Sequence, residues 1–201
     1  MRATLVLLLF AEGAILGNPA PTRGAPPEAP RCDAPACHGA LVSKAHAHTP
    51  AAEGECASCH VPTGAAHPGD GAKGFRLVKT GGALCLECHE LPARKNVHAP
   101  VAEGECTTCH DPHGSGQPAL LKQPLGTMCF ECHDAAEFKV HVVTGIDLGT
   151  GHPLSGVPDP ARPGQTLSCV SCHDPHGSDS PKLWRYQAQT SFDLCGRCHR
   201  M

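Results

Sequence analysis

The sequence predicts a mostly irregular chain with short α-helices, built around something other than a side-chain core. Two observations predict this. The 201 residues include only five Phe, one Trp and one Tyr, against 22 Gly and 20 Pro. A chain of this size ordinarily buries most of its apolar surface in a core, and it lacks the bulky side chains to do so. The second observation is a surplus of 14 Cys and 15 His. The formal charge of −3, with no basic run, gives no argument for a nucleic-acid partner, and none is expected.

The amino-terminal stretch MRATLVLLLFAEGAILG has a short positive region at Arg2, then an apolar run from Ala3 to Ala11 broken by Glu12. It is too short to span a membrane and has the form of a secretory signal. Residues 1–20 are therefore expected to be removed, leaving no transmembrane span in the mature chain. The stretch 18–36 holds six prolines, so residues 21–31 are expected to form an extended Pro/Ala-rich linker. Export would place the protein in the periplasm or outside the cell, where thiols are oxidised.

The remainder, 32–201, is repetitive. Six segments read Cys-x-x-Cys-His: Cys56–His60, Cys85–His89, Cys106–His110, Cys129–His133, Cys169–His173 and Cys195–His199. A seventh, Cys32-Asp-Ala-Pro-Ala-Cys37-His38, has four intervening residues, and the seven motifs together use every cysteine. His48-Thr-Pro-Ala-Ala-Glu-Gly-Glu-Cys56 parallels His98-Ala-Pro-Val-Ala-Glu-Gly-Glu-Cys106, and CHDPHGS occurs at both 109–115 and 172–178. The chain thus divides into a lone motif at 32–38 and three doubled modules at about 46–89, 96–133 and 152–199. Short helices are expected around the motifs. Pro112 and Pro175 suit a first helical turn capped by Asp111 and Asp174. No stretch shows convincing strand alternation.

Cys-x-x-Cys-His is the attachment signal for c-type haem. Two thiols add to the haem vinyl groups, and the following His ligates the iron from below. Three other uses of such cysteines fit less well. Tetrahedral zinc sites do not require His after every second Cys. Thioredoxin-like redox pairs need a βαβ context, and a disulfide framework does not impose the His. About seven covalent haem c groups are therefore expected. The thioether residues would be Cys32, Cys37, Cys56, Cys59, Cys85, Cys88, Cys106, Cys109, Cys129, Cys132, Cys169, Cys172, Cys195 and Cys198. The proximal iron ligands would be His38, His60, His89, His110, His133, His173 and His199.

Eight histidines remain for the opposite faces: His46, His48, His67, His98, His113, His141, His152 and His176. Supply exceeds demand by one, so every iron can be closed by two imidazoles. Axial Met would raise the potential, so an all-His set implies low potentials. His113 lies three residues after His110, and three residues span at most ~10 Å. That is too short to pass round a porphyrin, so His113 must serve a neighbouring haem, and His176 likewise. His67, after His60, reads as the same element with an insertion. His98 and His152 precede a motif. One of His46, His48 and His141 is spare; since His48 aligns with His98, His46 or His141 is left for the first haem.

The pattern His…CxxCH-Asp-Pro-His…Leu-Cys-x-x-Cys-His resembles the doubled-CXXCH multihaem cytochromes c over about 32–201. The resemblance implies haems in stacked and T-shaped pairs, little secondary structure and exported electron transport. It also implies redox partners that are other cytochromes or a membrane-associated complex, with self-assembly into filaments in some relatives.

The residues support an electron relay and no catalytic residues. With every iron closed there is no open position for a substrate. Each oxidised haem with two ionised propionates adds one negative charge, taking −3 to about −10, or about −17 when reduced. Partners should therefore present basic patches. The alternatives are a subunit of an extracellular cytochrome filament and a haem reductase with one open iron. Surplus histidine and the lack of any CxxCK motif disfavour the reductase.

Overall fold

The computed structural model describes residues 31–69, 74–133 and 156–200. Short elements alternate with turns and coil, as the Gly and Pro content dictates. The helices are α1 (Gly39–Val42), α2 (Thr49–Ala52), α3 (Gly82–Cys85), α4 (Ala99–Ala102), α5 (Leu125–Phe130), α6 (Cys169–Cys172) and α7 (Ser191–Cys195). The strands are β1 (His46–Ala47), β2 (His60–Pro62), β3 (Phe75–Leu77), β4 (Asn96–Val97), β5 (Gly114–Ser115) and β6 (Gly177–Ser178). Single 3-10 turns cover Cys56–Ser58, Cys106–Thr108 and Pro118–Leu120. No described helix is long and apolar enough to cross a membrane.

Helices this short do not persist by propensity alone, and local devices hold them. Proline occupies the first turn of both α2 and α4, where its missing N–H costs nothing. α7 opens with a capping box: the Asp193 N–H donates to Thr190 Oγ1, and the Thr190 N–H donates to Asp193 Oδ2. Ser168 and Ser171 make the same reciprocal arrangement at α6.

The strands do what sequence alternation could not announce. β2 and β3 form a local antiparallel hairpin. The other two ladders join successive modules. β1, before His48, pairs with β5 in the second module, with His46 opposite Ser115. β4, before His98, pairs with β6 in the third, with Asn96 opposite Ser178. At both clasps the CHDPHGS glycine has positive φ, 151° at Gly114 and 148° at Gly177. A Cβ there would lie 2.8 Å from the facing carbonyl of His46 or Asn96. Only glycine lets the strands close.

The expected helical turn at Asp111-Pro112 and Asp174-Pro175 does not form. Asp111 Oδ1 instead accepts from the His113 N–H at 3.0 Å, and Asp174 Oδ1 from the His176 N–H at 3.1 Å. Each is a tight Asx turn that turns the chain into the clasp strand.

Side-chain core is nearly absent. Among the described residues the buried hydrophobics are Leu167, Val170 and Ala188, all in the third module. Phe75, Leu77, Leu86, Phe130 and Phe192 are exposed.

Gly114→Ala or Gly177→Ala should destabilise the loaded protein by about 1–3 kcal/mol through backbone strain at the clasp. Gly116, around which a Cβ would meet nothing within 4 Å, should accept alanine with no change. Thermal unfolding followed by visible absorption separates the two outcomes.

Candidate metal centres

Each motif folds into a tight turn closed by backbone hydrogen bonds. In five of the regular motifs the His N–H donates to the carbonyl of the first Cys, as at His89 to Cys85 (2.9 Å) and His199 to Cys195 (2.8 Å). The irregular motif closes by the same bond across its longer loop: the His38 N–H reaches Cys32 O at 3.0 Å. Two extra residues between its cysteines therefore leave the turn intact.

The imidazoles come together in pairs. Ring centres are 5.8 Å apart for His38 and His67, and 5.9 Å for His48 and His89. They are 6.0 Å apart for His60 and His113, for His98 and His133, and for His110 and His176. The ring planes lie 10–22° from parallel in all five pairs. Every pair joins one histidine of a Cys–His motif to one outside it. Two imidazole nitrogens bound at about 2 Å on opposite sides of one metal put the ring centres about 6 Å apart, so the residues fit a metal between them.

In four of the expected ligand histidines the second ring nitrogen meets a backbone carbonyl. His48 Nδ1 lies 2.8 Å from Pro112 O and His98 Nδ1 lies 3.1 Å from Pro175 O. On the proximal side, His110 Nδ1 meets Ala119 O at 2.8 Å and His173 Nδ1 meets Lys182 O at 2.7 Å. A carbonyl only accepts, so Nδ1 carries the proton and Nε2 is left for a metal.

The accepting carbonyls stand in bent backbone. Ala119 and Leu120 have φ of 54° and 57°, and Leu183 has φ of 54°. These are uncommon for residues with a Cβ, and such strain persists where surrounding structure enforces it. The sequence signal was the repeat itself: Pro118-Ala-Leu and Pro181-Lys-Leu stand at the same distance from His110 and His173.

The two CHDPH aspartates are held by cations from elsewhere. Lys44 Nζ is 2.8 Å from Asp111 Oδ2 and 2.9 Å from Gly114 O. Arg185 Nη1 is 3.6 Å from Asp174 Oδ2. The Lys44 ammonium brings the Asp111 carboxyl down to about 2, against partial desolvation. Burial lowers His176 below the usual imidazole range, and burial with the neighbouring His113 and His38 lowers His60. Both shifts favour the neutral ring that metals bind.

Of the eight histidines expected on the opposite faces, His48, His67, His98, His113 and His176 stand in ring pairs. His113 faces His60 rather than its neighbour His110, and His176 faces His110 rather than His173. The ring opposite His38 is His67, which follows the second motif, where the sequence left His46 or His141 for this site. His46 is exposed in β1 and belongs to none of these ring pairs. His141 and His152 lie outside the described residues, as do the expected signal and most of the linker. The thiols stay unbridged, and several approach across motifs, Cys129 with Cys169 among them.

A family model for the doubled CXXCH motif matches residues 48–93, 98–138 and 160–201. These segments cover more than half of the chain. The chain belongs to this family, as a multihaem c-type cytochrome with covalently bound haem. No curated protein matches it.

Asp111 contributes stability that is full above its ordinary value of 3.8 and is lost as the pH falls toward about 2. The stability gap between the wild type and Asp111→Asn should therefore shrink across that interval. Acid titrations of both proteins, followed by thermal midpoint, check this.

Proposed function

We propose that the protein is an electron carrier with seven bis-imidazole haems, relaying electrons between exported redox proteins. The observation that carries this is the set of five imidazole pairs, each spaced for a single metal. When bound, haem supplies one-electron ferric–ferrous chemistry. The chain's own residues hold and tune it. Proximal histidines are fixed by the motif turn, and His48, His98, His113 and His176 by the clasps they flank. Nδ1–H donation to Pro112, Pro175, Ala119 and Lys182 carbonyls sets the tautomer and makes each ring a stronger donor. Ligands on both faces leave no position for substrate.

The repeat extends the assignment. His48 faces the second motif of its own module, as does His98. By the same rule His152 serves His199. His141 is then assigned to His173, and His46 is the surplus imidazole. The irregular motif counts as a full site because His38 has both the closing turn and a facing ring.

His48→Ala should create one high-spin iron that binds carbon monoxide and is restored by added imidazole; His46→Ala should leave the spectrum unchanged. For the reading as a whole, the measurement is intact mass with visible spectroscopy of the matured protein. Seven added haems and no carbon monoxide binding are expected. Six haems would overturn the seven-site count, and a native high-spin centre would overturn the closed relay and favour a reductase.

A further inference from the structure

Asp159 is the one charged side chain that is buried among the described residues, at 3 % exposure. The first two modules enter their first motif through α2 or α4, and the third enters through a loop over 157–167. That loop closes on itself: the Asp159 N–H donates to Gln165 O and the Leu167 N–H to Val157 O, both at 2.8 Å. One carboxylate oxygen has a local use. The Ala161 N–H donates to Asp159 Oδ1 at 2.9 Å, an Asx turn. The other oxygen, Oδ2, is buried with no hydrogen-bond partner. Asparagine makes the same turn without the cost of burying a charge. The turn therefore explains Oδ1 and leaves the charge unexplained.

The loop holds this carboxylate between two Cys–His motifs. Arg162, in the loop, donates through Nη1 to Val170 O at 2.8 Å, inside the Cys169–His173 motif. Arg185 donates to the same carbonyl through Nε, and its backbone N–H reaches Cys172 O at 2.8 Å. These guanidiniums are engaged by the Val170 carbonyl, and Arg185 also by Asp174, rather than by Asp159. On the other side Tyr186 leads to the last motif. Arg197, between Cys195 and Cys198, lies over the Tyr186 ring at 5.4 Å and donates to Tyr186 O at 3.3 Å. The Tyr186 hydroxyl is buried without a partner, and burial, followed by the Asp159 charge, pushes this phenol up. Asp159 neighbours Cys172 and Cys198, one cysteine from each motif.

A charge buried away from water is weakly screened. Beside a haem, a negative charge favours the ferric state, because reduction adds a second negative charge close to the first.

We propose that Asp159 sets the potentials of both haem sites of the third module, Cys169–His173 and Cys195–His199, holding them toward the ferric state. This rests on the haem reading above. Asp159 binds no iron and carries no electron; its charge makes adding an electron to either site less favourable. The first two modules have no counterpart among the described residues. Glu55 and Glu105, which precede their first motifs, are exposed, and water screens them.

The test is a redox titration of the holoprotein in which the paramagnetic methyl signals of each haem report its own oxidised fraction. Asp159→Asn keeps the turn and removes the charge. It should raise both third-module potentials, changing the ferrous-to-ferric ratio at a fixed applied potential by at least ten-fold, about 59 mV for one electron. The haems of the lone motif and of the first two modules should not move. Asp159→Ser, whose hydroxyl accepts from the same N–H, should give the same two shifts and serves if the amide does not pack. Asp193→Asn removes an exposed carboxylate just before the last motif and should shift neither site. No shift, a shift at only one of the two sites, or an equal shift at all seven overturns the proposal. Haem number and spin state, read on the same samples, report separately on the haem reading. A full set of low-spin haems with unmoved third-module potentials sinks the role of Asp159 alone. Haems missing from the third module of the wild type sink the reading beneath it.

Discussion

Two imidazoles facing each other across a gap wide enough for one metal are the constraint on which the rest of this structure depends. The chain holds its five described ring pairs 5.8–6.0 Å apart and nearly parallel. Its described hydrophobic core is three residues in the third module. Without a group in the gaps, burial of apolar surface could not offset the conformational entropy of ordering the backbone. On the proposed haem reading, iron ligation and two thioether bonds per site supply what Leu and Phe supply elsewhere. The cofactor is therefore the fold's interior as well as its chemistry.

The protein's contribution is orientation. Seven tight turns hold the Cys–His motifs, and at two short clasps His113 and His176 reach back to a ring of the preceding module. Backbone carbonyls fix which nitrogen faces the metal. Lys44 and Arg185 hold the aspartates that shape the CHDPH turn. Because His113 faces His60 and His176 faces His110, the first and second modules are each completed by a ring from the module after it. The same logic makes the strained carbonyls at Ala119 and near Leu183 intelligible: their conformation is fixed by the imidazole they accept from.

Much of this was legible in the sequence, and the parts that were not share a cause. The seven motifs, the irregular first one, and the crossing of His113 and His176 to another motif all follow from spacing and the reach of a short chain. The partner of His38 did not, because ligands arriving from elsewhere depend on which segments meet in space. The aligned repeat offered His67 only as an analogue of His113. The clasps were invisible because strands of two residues carry no alternation. Asp111 and Asp174 carried a helix-cap signal, but their side chains bond the histidine two residues on and end as turns.

The central claim is that every iron in this molecule is held between two histidines. Near-infrared magnetic circular dichroism of the fully oxidised protein tests it most directly, because the ferric charge-transfer band reports the axial pair and its intensity counts the irons. The account predicts bis-imidazole bands alone, with an intensity equal to the iron content. A high-spin band, or a methionine or thiolate band, would contradict it.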